Sequence, residues 1–223
     1  TTSYCQGYVL DVIRNYLGKS TFCVPFVDTM CHSPIITIWK KMKWTVFFYG
    51  RIPIKKAASF VFFSKNGLVK NLLHWLKYKN QEQIGSFFGD WCGALLKEDE
   101  HLKNIDAVVP VPLHPKKQKK RGYNQVAQFA HKIAENIGAE YCDDWLIKVK
   151  NIKTQTKKGR QWRWESSKDA FKLNTSNGRT FKHVLLVDDV ITTGATIESC
   201  PQTLLQQKEV EVSVLSTAMV PEG

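Results

Sequence analysis

The chain has 223 residues, 43% of them apolar and 12% aromatic, which is ample for a packed core and excludes disorder along the whole length. The formal charge of +12 is clustered rather than spread, which points to an anionic partner: nucleic acid, a phosphorylated metabolite or an acidic membrane. Six scattered cysteines form no C-x-x-C pair, so they read as reduced thiols of a cytoplasmic protein; no apolar run reaches the length of a membrane span, and the start of the chain shows no signal peptide.

Residues 1 to 48 show no clean period and are interrupted by Pro25 and Pro34, so we treat them as a degenerate N-terminal segment and residues 49–223 as the folded domain. Ala57 to Phe63 reads as a strand. Leu68 to Tyr78 places Leu68, Leu72, Leu73, Trp75 and Leu76 at helical spacing, and a second helix is expected from about Gln81 to Lys97. Asp106 to Pro112 is strand-like, Pro115 to Lys120 a basic loop, Asn124 to Ile137 a helix and Trp145 to Val149 a short strand. Residues 151 to 168 form a long polar loop. His183 to Val187 is a continuous apolar run, the pattern of a strand buried on both faces. Ala195 to Gln207 reads as a helix, with Pro201 marking a kink or a later start. Val210 to Ala218 is a final strand. Strands alternating with helices predict a parallel α/β sheet.

The most informative run is Val184 to Thr196. A buried strand leads into Asp188 and Asp189, then Thr192, Thr193, Gly194, Ala195 and Thr196 lead into a helix. Ligands of open α/β sheets sit at the carboxyl ends of strands, and a helix N-terminus there suits a phosphate. Gly194 permits close backbone approach, and the threonine hydroxyls add donors. The two acids would repel a phosphate, so ribose hydroxyls or Mg²⁺ are their natural partners.

This run resembles the signature of type I phosphoribosyltransferases for 5-phosphoribosyl-1-pyrophosphate (PRPP) at all thirteen positions. The resemblance implies a type I phosphoribosyltransferase-like parallel sheet flanked by helices. It implies that Asp188 and Asp189 hold the ribose hydroxyls and that residues 192 to 196 hold the 5′-phosphate. A second segment, Pro110-Val111-Pro112-Leu113-His114 followed by Arg121-Gly122-Tyr123-Asn124-Gln125, resembles the ComF/GntX family. His74 to Tyr78 (H-x-L-K-Y), Thr154-Gln155-Thr156 and Arg163 ahead of Ala170-Phe171 follow that family's order. The resemblance implies a cytoplasmic PRPP-binding protein associated with competence and the uptake of DNA. Mg²⁺ would enter with PRPP, and single-stranded DNA and a competence helicase would be possible partners.

Arg121 is the expected pyrophosphate ligand, because its guanidinium fork grips phosphate bidentately. Lys119 and Lys120 are weaker candidates. Lys158, Arg160 and Arg163, with Trp162 and Trp164 among them, suit a hood over PRPP or a stacking surface for single-stranded nucleic acid. His114 and Tyr123 to Gln125 read more readily as structural than as ligand contacts. The family's paired C-x-x-C zinc module is replaced here by Cys5, Cys23 and Cys31-His32, whose spacing does not suggest zinc. Ser166 stands where the family pattern has Asn, which weakens that hood contact. If the chain is catalytic, pyrophosphate is displaced at ribose C1 by a nitrogen nucleophile. The other reading is a PRPP-sensing DNA-binding module without catalysis.

Overall fold

The computed structural model describes residues 52–63, 68–98, 104–150, 170–176, 178–191 and 195–220. The N-terminal segment, the polar loop at 151–168 and residues 192–194 lie outside them.

Among the described residues seven strands and five helices follow in order: β1 Lys56–Phe62, α1 Leu68–Tyr78, α2 Gln83–Lys97, β2 Ala107–Pro110, α3 Pro115–Arg121, α4 Ala127–Ile137, β3 Glu140–Tyr141, β4 Leu146–Lys148, β5 Phe171–Leu173, β6 His183–Ile191, α5 Ala195–Leu204 and β7 Glu211–Met219. Five strands form one sheet in the order β1-β7-β6-β2-β3. Each of its pairings is parallel. This is the α/β architecture expected from the alternating pattern.

Strand β6 lies inside the sheet, between β7 and β2. Val184 to Val187 are fully buried, because helices or strands cover both faces. On one face Leu185, Val187 and Leu215 pack under α1, α2 and α4 through Leu72, Leu76, Phe88, Phe129 and Ile133. On the other, Val184, Leu186 and Val214 pack against Ile197, Cys200 and Leu204 of α5 and against Trp145, Leu146 and Phe171. Helices α2 and α4 come close at Gly89, where a Cβ would lie 2.7 Å from the Phe129 carbonyl oxygen and 2.6 Å from the Lys132 Cβ.

Several boundaries differ from the sequence reading, for identifiable reasons. Strand β6 runs beyond Val187 through both acids to Ile191, because β7 pairs with it as far as Met219. The segment Trp145 to Val149 contributes β4, which leaves the main sheet and forms an antiparallel pair with β5. The basic stretch after His114 is a short helix rather than a loop. Pro115 opens this helix, and the His114 ring accepts the Lys116 N–H at 3.2 Å. Gly122, at φ 90°, supplies the left-handed residue that ends it. None of its residues is buried, so it has no apolar stripe for periodicity to detect. Helix α5 passes through Pro201 as one helix, and the Leu205 N–H donates to the Pro201 carbonyl at 2.8 Å.

Candidate functional site

Asp188 and Asp189 lie in the last part of β6, toward the carboxyl edge of the sheet. The register passes from Asp188↔Ser216 to Val190↔Ala218, and each acid accepts the N–H of the next residue: Asp189 N–H to Asp188 Oδ1 at 2.8 Å, Val190 N–H to Asp189 Oδ1 at 2.6 Å. Side chains alternate along a strand, so the neighbouring acids turn to opposite faces. Asp189 meets the α1/α4 side; the Asp188 charge is felt at Cys200 of α5.

The surroundings of Asp189 come from two distant segments. Lys77, in the last turn of α1, places its Nζ 2.5 Å from Asp189 Oδ2. The Gln125 side-chain amide donates to the same oxygen at 3.0 Å. Arg121 Nη1 in turn donates to Gln125 Oε1. The Arg121 guanidinium lies over the Tyr78 ring at 5.6 Å, and the Tyr123 hydroxyl donates to the Leu76 carbonyl. Asn124 Nδ2 donates to the Val111 carbonyl at 3.0 Å, fixing the turn to the end of β2. Residues 76–78 and 121–125 thus interlock beside the acids. Their families of side chains were noted in the sequence only as motifs; Lys77, Tyr78 and Gln125 were not anticipated at the site. Gln125 does more than shape the start of α4.

The two acids ionise differently. Burial, then the adjacent Asp189 charge, pushes the Asp188 carboxyl up to about 7. At Asp189 burial also acts upward, but the Lys77 ammonium and the hydrogen bonds from Lys77, Val190 and Gln125 outweigh it and hold the carboxyl below its ordinary value. One acid is therefore a firm carboxylate beside another poised near neutrality, a pattern typical of functional sites.

Cations converge on the same edge. Burial first, then the charges of Lys148 and Arg121, lower the Lys117 pKa. Lys148 of β4 also acts on Asp188. Lys117 thus feels the charges of both Lys148 and Arg121, and an anion beside it would relieve that repulsion. Lys119 and Lys120 are exposed on α3. Thr196 lies in the first turn of α5, which opens at Ala195. Thr192, Thr193 and Gly194 lie outside the described residues, as do Lys158, Arg160, Arg163 and the cysteines at 5, 23 and 31.

A cavity of about 620 Å³ is lined by Trp145, Phe171, Leu173, Arg179, Thr180 and Gln207 among others, and by neither acid. Its Arg179 is paired with Asp144 at 2.6 Å and Glu140 at 3.3 Å. Charged groups gather at the acid edge, whereas the arginine of this mixed cleft is already neutralised.

A parallel sheet flanked by helices, with an acid pair at the carboxyl edge of an internal strand and a helix opening just beyond, defines an α/β protein consistent with the type I phosphoribosyltransferase-like fold. The chain is 32% identical over 123 residues to competence protein F of Haemophilus influenzae, covering 55% of this chain and 54% of that protein. It is 28% identical over 149 residues to the DNA utilization protein YhgH of Salmonella typhimurium, covering 64% of this chain and 63% of that one. It is 28% identical over 148 residues to competence protein ComFC of Bacillus subtilis, covering 65% of this chain and 57% of that one. No family model matches the chain. The chain is thus similar to proteins named for competence and DNA utilization, and it spans between about half and two thirds of the length of these relatives. Among the described residues no helix is long and apolar enough to cross a membrane.

Proposed function

We propose that the chain binds PRPP as its Mg²⁺ complex at the carboxyl edge of β6, and serves the handling of incoming DNA in competence. The observation that carries this reading is the gathering of Asp188, Asp189, Lys77, Gln125 and Arg121 from three separate segments. Ribose hydroxyls donate to carboxylates, and Mg²⁺ prefers one or two carboxylates plus phosphate oxygens and water, so the donor set fits both. Arg121, Lys117 and Lys148 are the groups that would take the pyrophosphate. The start of α5 would take the 5′-phosphate, with Thr192, Thr193, Gly194 and Thr196 as its donors.

If the chain is catalytic, pyrophosphate leaves ribose C1 as a nitrogen nucleophile arrives, through an oxocarbenium-like transition state. The protein would then supply positioning and stabilisation of the leaving group rather than a nucleophile. Bound Mg²⁺ would neutralise charge on the pyrophosphate. Arg121 would stay on the pyrophosphate throughout, and the acids would fix the ribose.

Titration calorimetry with PRPP and Mg²⁺ tests the reading. Binding is expected for the native chain and lost in the Asp188→Ala plus Asp189→Ala variant. Undiminished binding in the variant would refute the site.

A second reading has its own observation. Tyr78 is 64% exposed, His74 lies 5.0 Å from it, and the guanidinium of Arg121, at the end of helix α3 with its exposed lysines, sits over it. Aromatic rings next to clustered cations suit single-stranded DNA, through base stacking and phosphate contacts. The names of the relatives make DNA a sensible partner. Binding should weaken steeply as salt rises, and an interaction indifferent to salt would speak against it.

A further inference from the structure

The carboxylate expected to meet the ligand is already engaged. Asp189 Oδ2 takes both Lys77 Nζ and the Gln125 amide, while Oδ1 takes the Val190 N–H. A carboxylate oxygen accommodates about two such contacts, so a metal ion or hydroxyl arriving at Oδ2 must replace one. We infer that Lys77 is a tethered cation that competes with a divalent metal ion for Asp189, so that the carboxylate opens to the metal–sugar-phosphate complex when the Lys77 ammonium is released. This rests on the PRPP reading and adds a regulation to the same site.

The pair is only partly open to water, with side-chain exposures of 24% for Lys77 and 13% for Asp189. Screening is therefore weaker than at a surface ion pair, and the competition is correspondingly stronger. The position of Lys77 is also tied to the pyrophosphate side. Its neighbours Leu76 and Tyr78 contact Tyr123 and Arg121, and Arg121 holds the Gln125 that shares Asp189. A phosphate that takes the Arg121 guanidinium loosens Gln125, and with it one of the contacts that hold Asp189 in place. A ligand that binds only the released state draws the protein toward that state.

The test uses Mn²⁺ alone, followed by electron paramagnetic resonance, on the native chain and on Lys77→Met, Lys77→Arg and Asp189→Asn. The Lys77→Met variant is expected to bind Mn²⁺ at least about tenfold more tightly than native, since a charge-assisted contact no longer has to be broken. Lys77→Arg should stay near native, and adding Asp189→Asn to Lys77→Met should abolish the gain. Should Lys77→Met fail to fold, Lys77→Gln carries the same expectation. Equal Mn²⁺ affinity in native and Lys77→Met, or a gain that survives Asp189→Asn, would overturn the inference. Half-saturation by PRPP should also need less Mg²⁺ in Lys77→Met. Absence of PRPP binding in both proteins at saturating Mg²⁺ would instead overturn the PRPP reading, and the Mn²⁺ comparison would still decide the role of Lys77.

Discussion

Gln125 donates to Asp189 across 64 positions of sequence, at 3.0 Å, and thereby joins the start of α4 to the strand that carries both acids. It is also the acceptor for Arg121. The residue is 7% exposed, so water cannot easily replace either bond.

Gln125→Leu should therefore cost about 1–3 kcal/mol of stability, because it removes one hydrogen bond from each of two half-buried charged partners. Urea denaturation would measure this. PRPP affinity should fall as well, since Arg121 and Asp189 both lose orientation. A variant as stable as native would remove Gln125 from the network.

Asp188 gives a pH signature. Its carboxyl is raised from 3.8 to about 7 in the folded chain, by burial and by Asp189. Between those values the native state holds a proton that the unfolded state has lost. Stability from this group is complete below the unfolded value and disappears as pH rises toward 7. Asp188→Asn should thus be more stable than native at pH 8 and similar to native near pH 4. Denaturant midpoints at the two pH values would check it.

His183 acts in the opposite direction. Burial first, then the Lys55 charge, lower its pKa, so the folded chain favours the neutral ring. Its stabilising effect is present above the ordinary histidine value and declines as pH falls through that value. In the Asp188→Asn background stability should accordingly decline on acidification below about pH 6.5. A flat profile there would exclude His183 as the group responsible.

The α2–α4 contact predicts the same outcome at two glycines. At Gly89 an added Cβ meets the Phe129 carbonyl at 2.7 Å, and backbone cannot yield cheaply. Gly89→Ala should cost about 1–3 kcal/mol. At Gly93 the nearest atom is the Asn136 Cβ at 2.7 Å, which no change of rotamer can move away. Gly93→Ala should therefore also lower stability in thermal melts, by more than the up to about 1 kcal/mol that alanine returns to the helix.

Local pattern carried much of this fold. The helix expected over Leu68 to Tyr78 is found there, because Leu72, Leu73 and Leu76 pack into the core, although Trp75 of the same spacing is exposed. The buried run from His183 was legible because both its faces are covered. Helix α3 was not, since it packs no apolar stripe and depends on a cap, a proline and a left-handed glycine. The extension of β6 through the acids depends on β7, whose pairing no local window shows. At the site, the acids and Arg121 could be chosen by chemistry. Lys77 could not, for a lysine near a helix end is ordinarily a solvated charge, and its partnership with Asp189 is created by tertiary contact. The clue available was that H-x-L-K-Y and R-G-Y-N-Q both stood out as motifs without an evident reason to meet.

The most direct measurement is a crystal structure of the chain with PRPP and Mg²⁺. The account predicts the ribose against Asp188 and Asp189, the pyrophosphate against Arg121 and Lys117, and Lys77 withdrawn from Asp189. Ligand bound in the cleft beside Trp145 and Arg179, with the Lys77–Asp189 pair intact, would contradict it.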